Sequence, residues 1–420
     1  MGFQESLDYL YGLQRFGIKL GLDNIRTLLA RLDHPEVACP CVHVAGTNGK
    51  GSVSATLAAI LSQSGLRTGL YTSPHLQHFS ERIRIDGEAI PEADVVALTK
   101  EIRAAATGLN PTFFEFTTAM ALLHFQRGSA GFTVLEVGMG GRLDATNVVL
   151  PQVAVITPVS FDHQFHLGDD LATIAGEKGG IIKPGVPVVL GRQEPAALSA
   201  LLQVAREQQA PAFCRGRDYA VTGSSYRFNG AELQLDDLHP VLAGAHQRDN
   251  LASVVAVIAL LRRQGFALDD SAIRHGVAAT RWPGRLEWWG GERRLLLDGA
   301  HNAAGARALA AYLQETGATR VRLVMGMKGD KSATDILLPL LPFAIKVYCT
   351  VPPVDAAVPP AELAEIAASG GVASALWAAP AAALAAALAD RCGDETVVVA
   401  GSLFLVAAAR EILQRGEVAV

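Results

Sequence analysis

Short apolar runs alternate with longer stretches of helical period through most of the chain. Residues 41–45, 68–71, 133–137, 153–156 and 186–190 read as buried strands. Residues 52–64, 93–106, 117–126 and 195–208 carry apolar positions at helical spacing. This alternation predicts an α/β fold whose mostly parallel sheet is covered by helices on both faces. In such sheets ligands collect at the carboxyl ends of the strands. The rhythm changes over residues 219–235, where Tyr226, Phe228, Leu233 and Leu235 alternate around Asn229-Gly230, and this predicts an antiparallel hairpin at a sheet edge. A helix over residues 250–263 follows, with Asn250 suited to cap it.

The run Thr280-Arg281-Trp282-Pro283-Gly284-Arg285-Leu286-Glu287 breaks the pattern, and alternation then restarts. New strands are predicted at residues 294–297, 321–325, 345–350 and 396–400, with an alanine-rich helix over 378–389. The expectation is therefore two domains. Residues 1–283 form a mostly parallel sheet domain that carries a phosphate loop. Residues 284–420 form a smaller Rossmann-like α/β domain without a G-x-G-x-x-G fingerprint. No internal repeat is visible.

Composition narrows the class. A chain of 420 residues exceeds one ordinary core. Hydrophobic residues make up 50% and charged residues 18%, which is globular rather than disordered. The net charge of −5 argues against a nucleic-acid partner held by bulk electrostatics. The five cysteines are odd in number and form no C-x-x-C pair, so structural thiols in a reducing cytoplasm are expected. The N-terminus lacks the uninterrupted apolar core of a secretory signal. Gly2 and Ser6 have myristoylation spacing, but the stretch also reads as an amphipathic helix. No window offers ~20 uncharged apolar residues, so no membrane association is expected.

The most informative stretch follows the first strand: Gly46-Thr47-Asn48-Gly49-Lys50-Gly51-Ser52. A strand feeding a glycine-rich turn that opens a helix aims backbone N–H groups and the positive helix end at one point, which suits phosphate. Lys50 adds a mobile positive charge and Ser52 a hydroxyl able to sit beside Mg²⁺. The spacing departs from the common P-loop, because only Thr47 and Asn48 separate Gly46 from Gly49 and Gly51 stands between Lys50 and Ser52. For the glycines alone, a tight βα turn is the competing reading.

Further segments carry polar chemistry at element ends. They are Tyr71-Thr72-Ser73-Pro74-His75-Leu76 with Glu81-Arg82-Ile83 beyond it, Thr112-Phe113-Phe114-Glu115, the run from Leu135-Glu136 through Asp144-Ala145-Thr146-Asn147, Asp162-His163-Gln164, Glu177-Lys178-Gly179-Gly180, Gly244-Ala245-His246-Gln247 with Asn250, and Leu297-Asp298-Gly299-Ala300-His301-Asn302. In kind and order these strings resemble the folylpolyglutamate synthase and dihydrofolate synthase family of the Mur ligase superfamily, and Gly401-Ser402-Leu403 adds to the likeness. The quoted strings span residues 40 to 302; the rest of the last third is less informative.

The resemblance implies an ATP-dependent ligase that forms an amide between L-glutamate and dihydropteroate, or the glutamate tail of a reduced folate, through an acyl phosphate. Lys50, Lys178 and His301 are the implied catalytic residues, with His301 binding glutamate or orienting its amine. Asn48, Gly49, Lys50, Gly51 and Ser52 would hold the phosphates, and Asn250, Arg285 and Asp298 the rest of the nucleotide. Asn250 as a helix cap, Arg285 as a linker charge and Asp298 as a turn residue are the plainer readings. Ser73, Glu136 and His163 would ligate magnesium, two ions in all. His163 as a magnesium ligand rests on the resemblance alone, because imidazole is a soft donor for that ion. The resemblance also implies a carbamylated Lys178, whereas Glu177-Lys178 alone reads as a solvated charge pair. The pterin would meet Phe113, Phe114, Glu115, Asp144 and Ala145, although a Phe at a helix start also serves as core. The loop of residues 9–24 is expected to close over the folate. The expected protein is a monomer.

Three other readings compete. One is a monofunctional folylpolyglutamate synthase. A cell-wall Mur ligase would place a uridine-nucleotide domain ahead of the phosphate loop, which here begins at Gly46. A GTPase-type regulatory switch would carry a guanine-reading N-K-x-D string, which is absent.

Overall fold

The computed structural model describes residues 1–16, 21–228, 233–290, 294–329 and 331–418. The chain divides into two compact units: Met1–Val241 with Gln247–Arg281, and Leu242–His246 with Trp282–Val420.

The first unit is built on eight strands: β1 (Cys41–Ala45), β2 (Thr68–Tyr71), β3 (Ile83–Ile85), β4 (Glu88–Ala89), β5 (Phe132–Glu136), β6 (Val153–Ile156), β7 (Val188–Leu190) and β8 (Ala212–Cys214). Their order across the sheet is β4-β3-β2-β5-β1-β6-β7-β8, parallel from β2 to β8 and antiparallel at β3 and β4. β1 is buried along its whole length because both faces are covered. Val42 and Val44 join the core containing Val53, Leu57 and Val254, whereas Cys41 joins the core containing Leu122 and Phe125. This two-sided burial explains why Cys41, Val42, Val44 and Ala45 run apolar around His43 in place of alternation. The chain steps from β1 out to β2, returns to β5 beside β1, then crosses to β6 on the other side. The reversal makes the carboxyl ends of β1, β5 and β6 a topological switch point, where open α/β sheets bind ligands.

Two sequence expectations change here. Residues 219–235 do not edge the main sheet. β9 (Tyr219–Thr222), β10 (Ser225–Phe228) and β11 (Leu233–Leu235) form a separate antiparallel sheet, and the predicted Asn229-Gly230 turn lies outside the described residues. Tyr226, Phe228, Leu233 and Leu235 bury the apolar face of that sheet in the core under β1. The helix expected to start at Asn250 runs Ala245–Arg263, so Asn250 is interior to it rather than its cap. Gly244, at φ +94°, breaks the chain before it.

The second unit holds β12 (Glu287–Trp289), β13 (Leu295–Leu297), β14 (Val321–Met325), β15 (Ala344–Thr350), β16 (Ala373–Trp377) and β17 (Thr396–Ala400). The order is β12-β13-β17-β14-β15-β16, parallel apart from β12. Its core gathers Leu296, Leu323, Val347 and Val398 from the strands with Leu309 and Leu363 from the helices.

Candidate active site

Site residues of the first unit cluster at the carboxyl ends of β1, β2, β5 and β6. After Ala45 the chain turns at Gly46, whose φ of +142° and close approach to Thr157 leave no room for a side chain: an added Cβ would lie 1.9 Å from Thr157 Oγ1. The N–H groups of Thr47 and Asn48 donate to the Pro158 carbonyl at 3.0 and 3.2 Å, tying the loop to the end of β6. The expected phosphate donor Asn48 therefore has its N–H engaged inside the protein. The helix Lys50–Gln63 begins directly after Gly49. The first-turn N–H groups of Lys50, Gly51 and Ser52 lack intrahelical acceptors and stand at the positive end of the helix, an anion site. Asn250 lies against this turn, and a Cβ on Gly49 would come 2.6 Å from its Oδ1. Asn250 Nδ2 donates to Gln247 Oε1 at 2.9 Å, and Gln247 Nε2 donates to Ser52 Oγ at 3.1 Å.

Two lysines converge beneath the loop. Lys50 Nζ donates to the carbonyls of Gly46 and Thr47, both at 3.2 Å, and Lys178 Nζ donates to the same Gly46 oxygen at 3.0 Å. Lys178 ends the helix Leu171–Gly179 and is only 3% exposed. Burial and then the Lys50 charge pull its pKa down to about 7, against the opposing pull of Asp162 and Asp144. Its neighbour Glu177 turns the other way and pairs with Arg142 at 2.8 Å. The solvated charge pair suggested by Glu177-Lys178 is thus split between surface and interior.

Glu136, buried at the end of β5, accepts from Ser73 N–H at 3.2 Å, which brings these two residues together. His163 takes a left-handed φ of +50° and its ring is 41% exposed, 3.9 Å from Asp162. Among the described residues no group of three His, Cys, Asp or Glu side chains gathers to hold a metal.

A second cluster is aromatic. Phe113 stacks on Tyr11 at 5.9 Å, and Phe114 lies 5.8 Å from Tyr71 while covering Gly138. Glu115 closes a capping box, accepting Thr112 N–H at 2.7 Å while its own N–H donates to Thr112 Oγ1. Both Asp144 oxygens accept within their own loop. Gly138 and Met139 N–H donate to Oδ2, and the N–H and hydroxyl of Thr146 donate to Oδ1. Ala145, buried, begins the turn that follows. Sequence reasoning gave Arg82 no role, yet it is 7% exposed, and burial lowers its pKa against the opposing pull of Glu136 and Glu81. Its Nε donates to His75 Nδ1 at 2.8 Å and its guanidinium sits 5.2 Å over Phe113. The bond leaves His75 an acceptor, and burial with the Arg82 charge lowers its pKa to about 4. Arg82 and Gln247 were present in the strings singled out; only burial and partners distinguish them from ordinary polar neighbours.

In the second unit Asp298 directly follows β13 and is buried. It accepts Leu286 N–H at 2.8 Å and Ala300 N–H at 2.9 Å, and burial raises its pKa against the pull of Arg285 and His246. Arg285 passes over Gly299, where an added Cβ would lie 2.1 Å from Nη1. His301 Nδ1 lies 2.7 Å from the Gly299 carbonyl oxygen, and Asn302 caps the helix Ala303–Thr316. Asp298 thus ties the segment at Leu286 to the turn that follows β13.

Residues 44–258 match the Mur ligase middle domain, and residues 284–403 match the Mur ligase glutamate ligase domain. The chain is 35% identical to the dihydrofolate synthase/folylpolyglutamate synthase of Escherichia coli, over 97% of this chain and 94% of that protein. It is 34% identical to the folylpolyglutamate synthase of Lacticaseibacillus casei, over 99% and 100% of the two. Escherichia coli FolC in complex with DHPP and ADP superposes with a TM-score of 0.90 at 32% identity, covering 99% of each chain. A bifunctional folylpolyglutamate synthase/dihydrofolate synthase from Yersinia pestis, complexed with AMPPNP and Mn ion, gives 0.89 at 33% identity, covering 99% and 98%.

Proposed function

The chain belongs to the Mur ligase family, in its dihydrofolate synthase/folylpolyglutamate synthase branch, and from that premise we propose that it joins L-glutamate to dihydropteroate and to the glutamate tail of reduced folates, using ATP. The observation that carries this reading is the loop of residues 46–52, with Lys50 and Lys178 sharing its first carbonyl, at the switch point of a sheet in a chain that resembles a DHPP- and ADP-bound enzyme over nearly its full length.

The chemistry has two stages. A carboxylate oxygen of the pteroyl or folyl acid attacks the terminal phosphorus of ATP, the bond to the bridging oxygen breaks, and ADP leaves an acyl phosphate. The neutral amine of glutamate adds to the acyl carbon; the tetrahedral intermediate expels phosphate and loses a proton as the amide forms. Negative charge grows first on the bridging and γ-phosphate oxygens. The N–H groups of Lys50, Gly51 and Ser52 and the Lys50 ammonium meet that charge without reorganising bulk water. Lys50 exchanges the Gly46 and Thr47 carbonyls for phosphate oxygens when the triphosphate arrives. Phe113, Phe114, Glu115, Asp144 and Ala145 are assigned to the pterin side, with Arg82 as the buried cation of that pocket. Asn250, Arg285 and Asp298 are assigned to the nucleotide and His301 to glutamate.

The residues present suit a divalent ion. Ser73 and Glu136 supply a hydroxyl and a carboxylate, hard oxygen donors held side by side, with His163 as a further candidate. That the described residues form no all-protein cluster is compatible with an ion that keeps waters and phosphate oxygens. Bound there, Mg²⁺ would neutralise triphosphate charge. Lys178 is assigned as a carbamate in the working enzyme: a buried amine near neutrality is free to react with CO₂, and the anion formed would offset the Lys50 charge.

Purified protein with ATP, Mg²⁺ and radiolabelled glutamate, supplied separately with dihydropteroate and with tetrahydrofolate, tests the reading. Label is expected in both products, with one ADP released per amide. ATP hydrolysis indifferent to both acids would overturn it, and label with tetrahydrofolate alone would restrict it to the monofunctional form.

A further inference from the structure

His43 sits in the middle of β1, the strand that feeds the phosphate loop, and is wholly buried in an otherwise apolar strand. Its Nε2 lies 2.8 Å from Thr146 Oγ1, and its Nδ1 has no hydrogen-bond partner. A buried polar group of this kind requires a physical account.

Proton counting gives the direction of the contact. Thr146 has one hydroxyl proton, and that proton points to Asp144 Oδ1: burial raises the Asp144 pKa, but the N–H groups of Gly138, Met139 and Thr146 all donate to its oxygens and favour the carboxylate, which only accepts. The hydroxyl oxygen is then left to accept from His43. The imidazole therefore carries its proton on Nε2, and Nδ1 is a bare lone pair. Burial keeps the ring neutral, with its pKa lowered to about 3. The chain of donors runs from the sheet interior through one hydroxyl to the carboxylate that gathers the Gly138, Met139 and Thr146 N–H groups. The gathered loop also packs on the helix bearing Lys178: a Cβ at Gly141 would come 2.7 Å from Glu177 O, and Arg142 N–H donates to that same oxygen at 2.8 Å. Asn147 Nδ2 donates to the Gly180 carbonyl at 3.0 Å, and Lys183 Nζ donates to the Asn147 carbonyl at 3.1 Å.

We propose that His43 is a positioning residue, which through Thr146 fixes the Asp144 carboxylate and with it the loop of residues 138–147 on which the acid substrate is aligned. The assignment of the loop to the acid substrate rests on the ligase reading; the relay itself does not. Its specific consequence is that the imidazole matters as an Nε2 donor and not as core volume. Gln reaches about as far as Nε2 and donates an N–H there. Asn mimics Nδ1, and Leu fills space without donating.

The test has a spectroscopic and a kinetic arm. In ¹⁵N-histidine-labelled wild-type protein, the His43 signals, identified by their loss in His43→Gln, should show an Nε2–H tautomer that does not titrate between about pH 5 and 8. A proton on Nδ1 would overturn the relay whatever the enzyme does. In the ligation assay, His43→Leu and His43→Asn should raise KM for the acid about tenfold and leave KM for ATP within about twofold, whereas His43→Gln stays within about threefold of wild type. Thr146→Val should reproduce the His43→Leu effect, and the double variant should be no worse than either, because both cut one chain. Additive losses, or Leu and Gln behaving alike, would overturn the proposal. Far-UV circular dichroism and melting curves confirm that each variant folds; should His43→Leu fail to fold, the comparison of Thr146→Val with Thr146→Ser carries the kinetic arm. A folded wild-type protein that ligates nothing would sink the ligase reading and leave the tautomer measurement standing.

Discussion

Lys50 Nζ and Lys178 Nζ donate to one acceptor, the Gly46 carbonyl oxygen, at 3.2 and 3.0 Å. Burial first, and then repulsion between two ammonium groups crowded on one carbonyl, makes Lys178 yield its proton more readily. The unfolded chain holds the Lys178 proton up to the ordinary lysine value of 10.5, the folded protein only to about 7. Between those values the unfolded state binds more protons, so this group makes stability rise with pH. Lys178→Met should therefore stabilise the protein near pH 7, with the gain shrinking to nothing as pH approaches 10.5. Urea unfolding in CO₂-free buffer across that window measures it. A pH-independent gain would place the Lys178 pKa near its ordinary value in the fold.

The same depressed pKa predicts capture of CO₂. Protein equilibrated with ¹³C-bicarbonate should show one carbamate carbon signal that is absent in Lys178→Ala. Activity should fall on rigorous CO₂ removal and return on adding bicarbonate. Lys178→Ala should lose at least about a hundredfold in kcat, with part of the loss restored by small carboxylates that occupy the vacated space. Loss of activity with no carbamate signal and no rescue would leave Lys178 acting as an amine.

Gly46 is held on two counts, its φ of +142° and the contact with Thr157. Gly46→Ala should destabilise by about 2–4 kcal/mol, combining strained backbone with overpacking against a fixed strand end. Shortening the neighbour in a Gly46→Ala, Thr157→Ala double variant removes the Oγ1 contact and leaves the Thr157 Cβ and carbonyl oxygen at 2.9 Å, so stability should return only in part and nucleotide binding should not. Thermal melts with and without ADP check both statements.

Much of this was legible in the residues because the strongest signals were local. Two-sided burial writes β1 and β5 as mainly apolar runs without alternation, and the glycine spacing after β1 announces an anion site. What stayed hidden depends on distant partners. The strand β16, Ala373–Trp377, has a composition that suits a helix equally well, and it becomes a strand by pairing with β15 at the sheet edge. Asn250 looked like a cap because polar amides favour that position; its actual setting, against Gly49 and Gln247, depends on tertiary packing across the fold. Asp144 and Asp298 read as ligand contacts or turn residues, and the fold gives both the work of binding backbone N–H groups. For Asp144 those donors fill the roughly four lone-pair directions a carboxylate offers, so contact with a pterin must share one of them.

Gln247 supplies the last prediction. Its amide is oriented from one side by Asn250 Nδ2 at 2.9 Å and donates on the other to Ser52 Oγ at 3.1 Å. That donation occupies one lone pair of the hydroxyl and leaves the other lone pair and the proton for phosphate or metal-bound water. Gln247→Leu frees the hydroxyl to rotate, and an interaction realised mainly in the transition state is lost. The expected result is a fall of about tenfold in kcat with KM for ATP within about threefold. Gln247→Glu has nearly the same shape but an acceptor where the donor stood, together with a negative charge beside the phosphate loop. It should weaken ATP binding as well, by about tenfold or more. Steady-state kinetics with calorimetric ADP titration separates the two variants. Equal effects from Leu and Glu would mean that Gln247 acts by filling space and not by orienting Ser52.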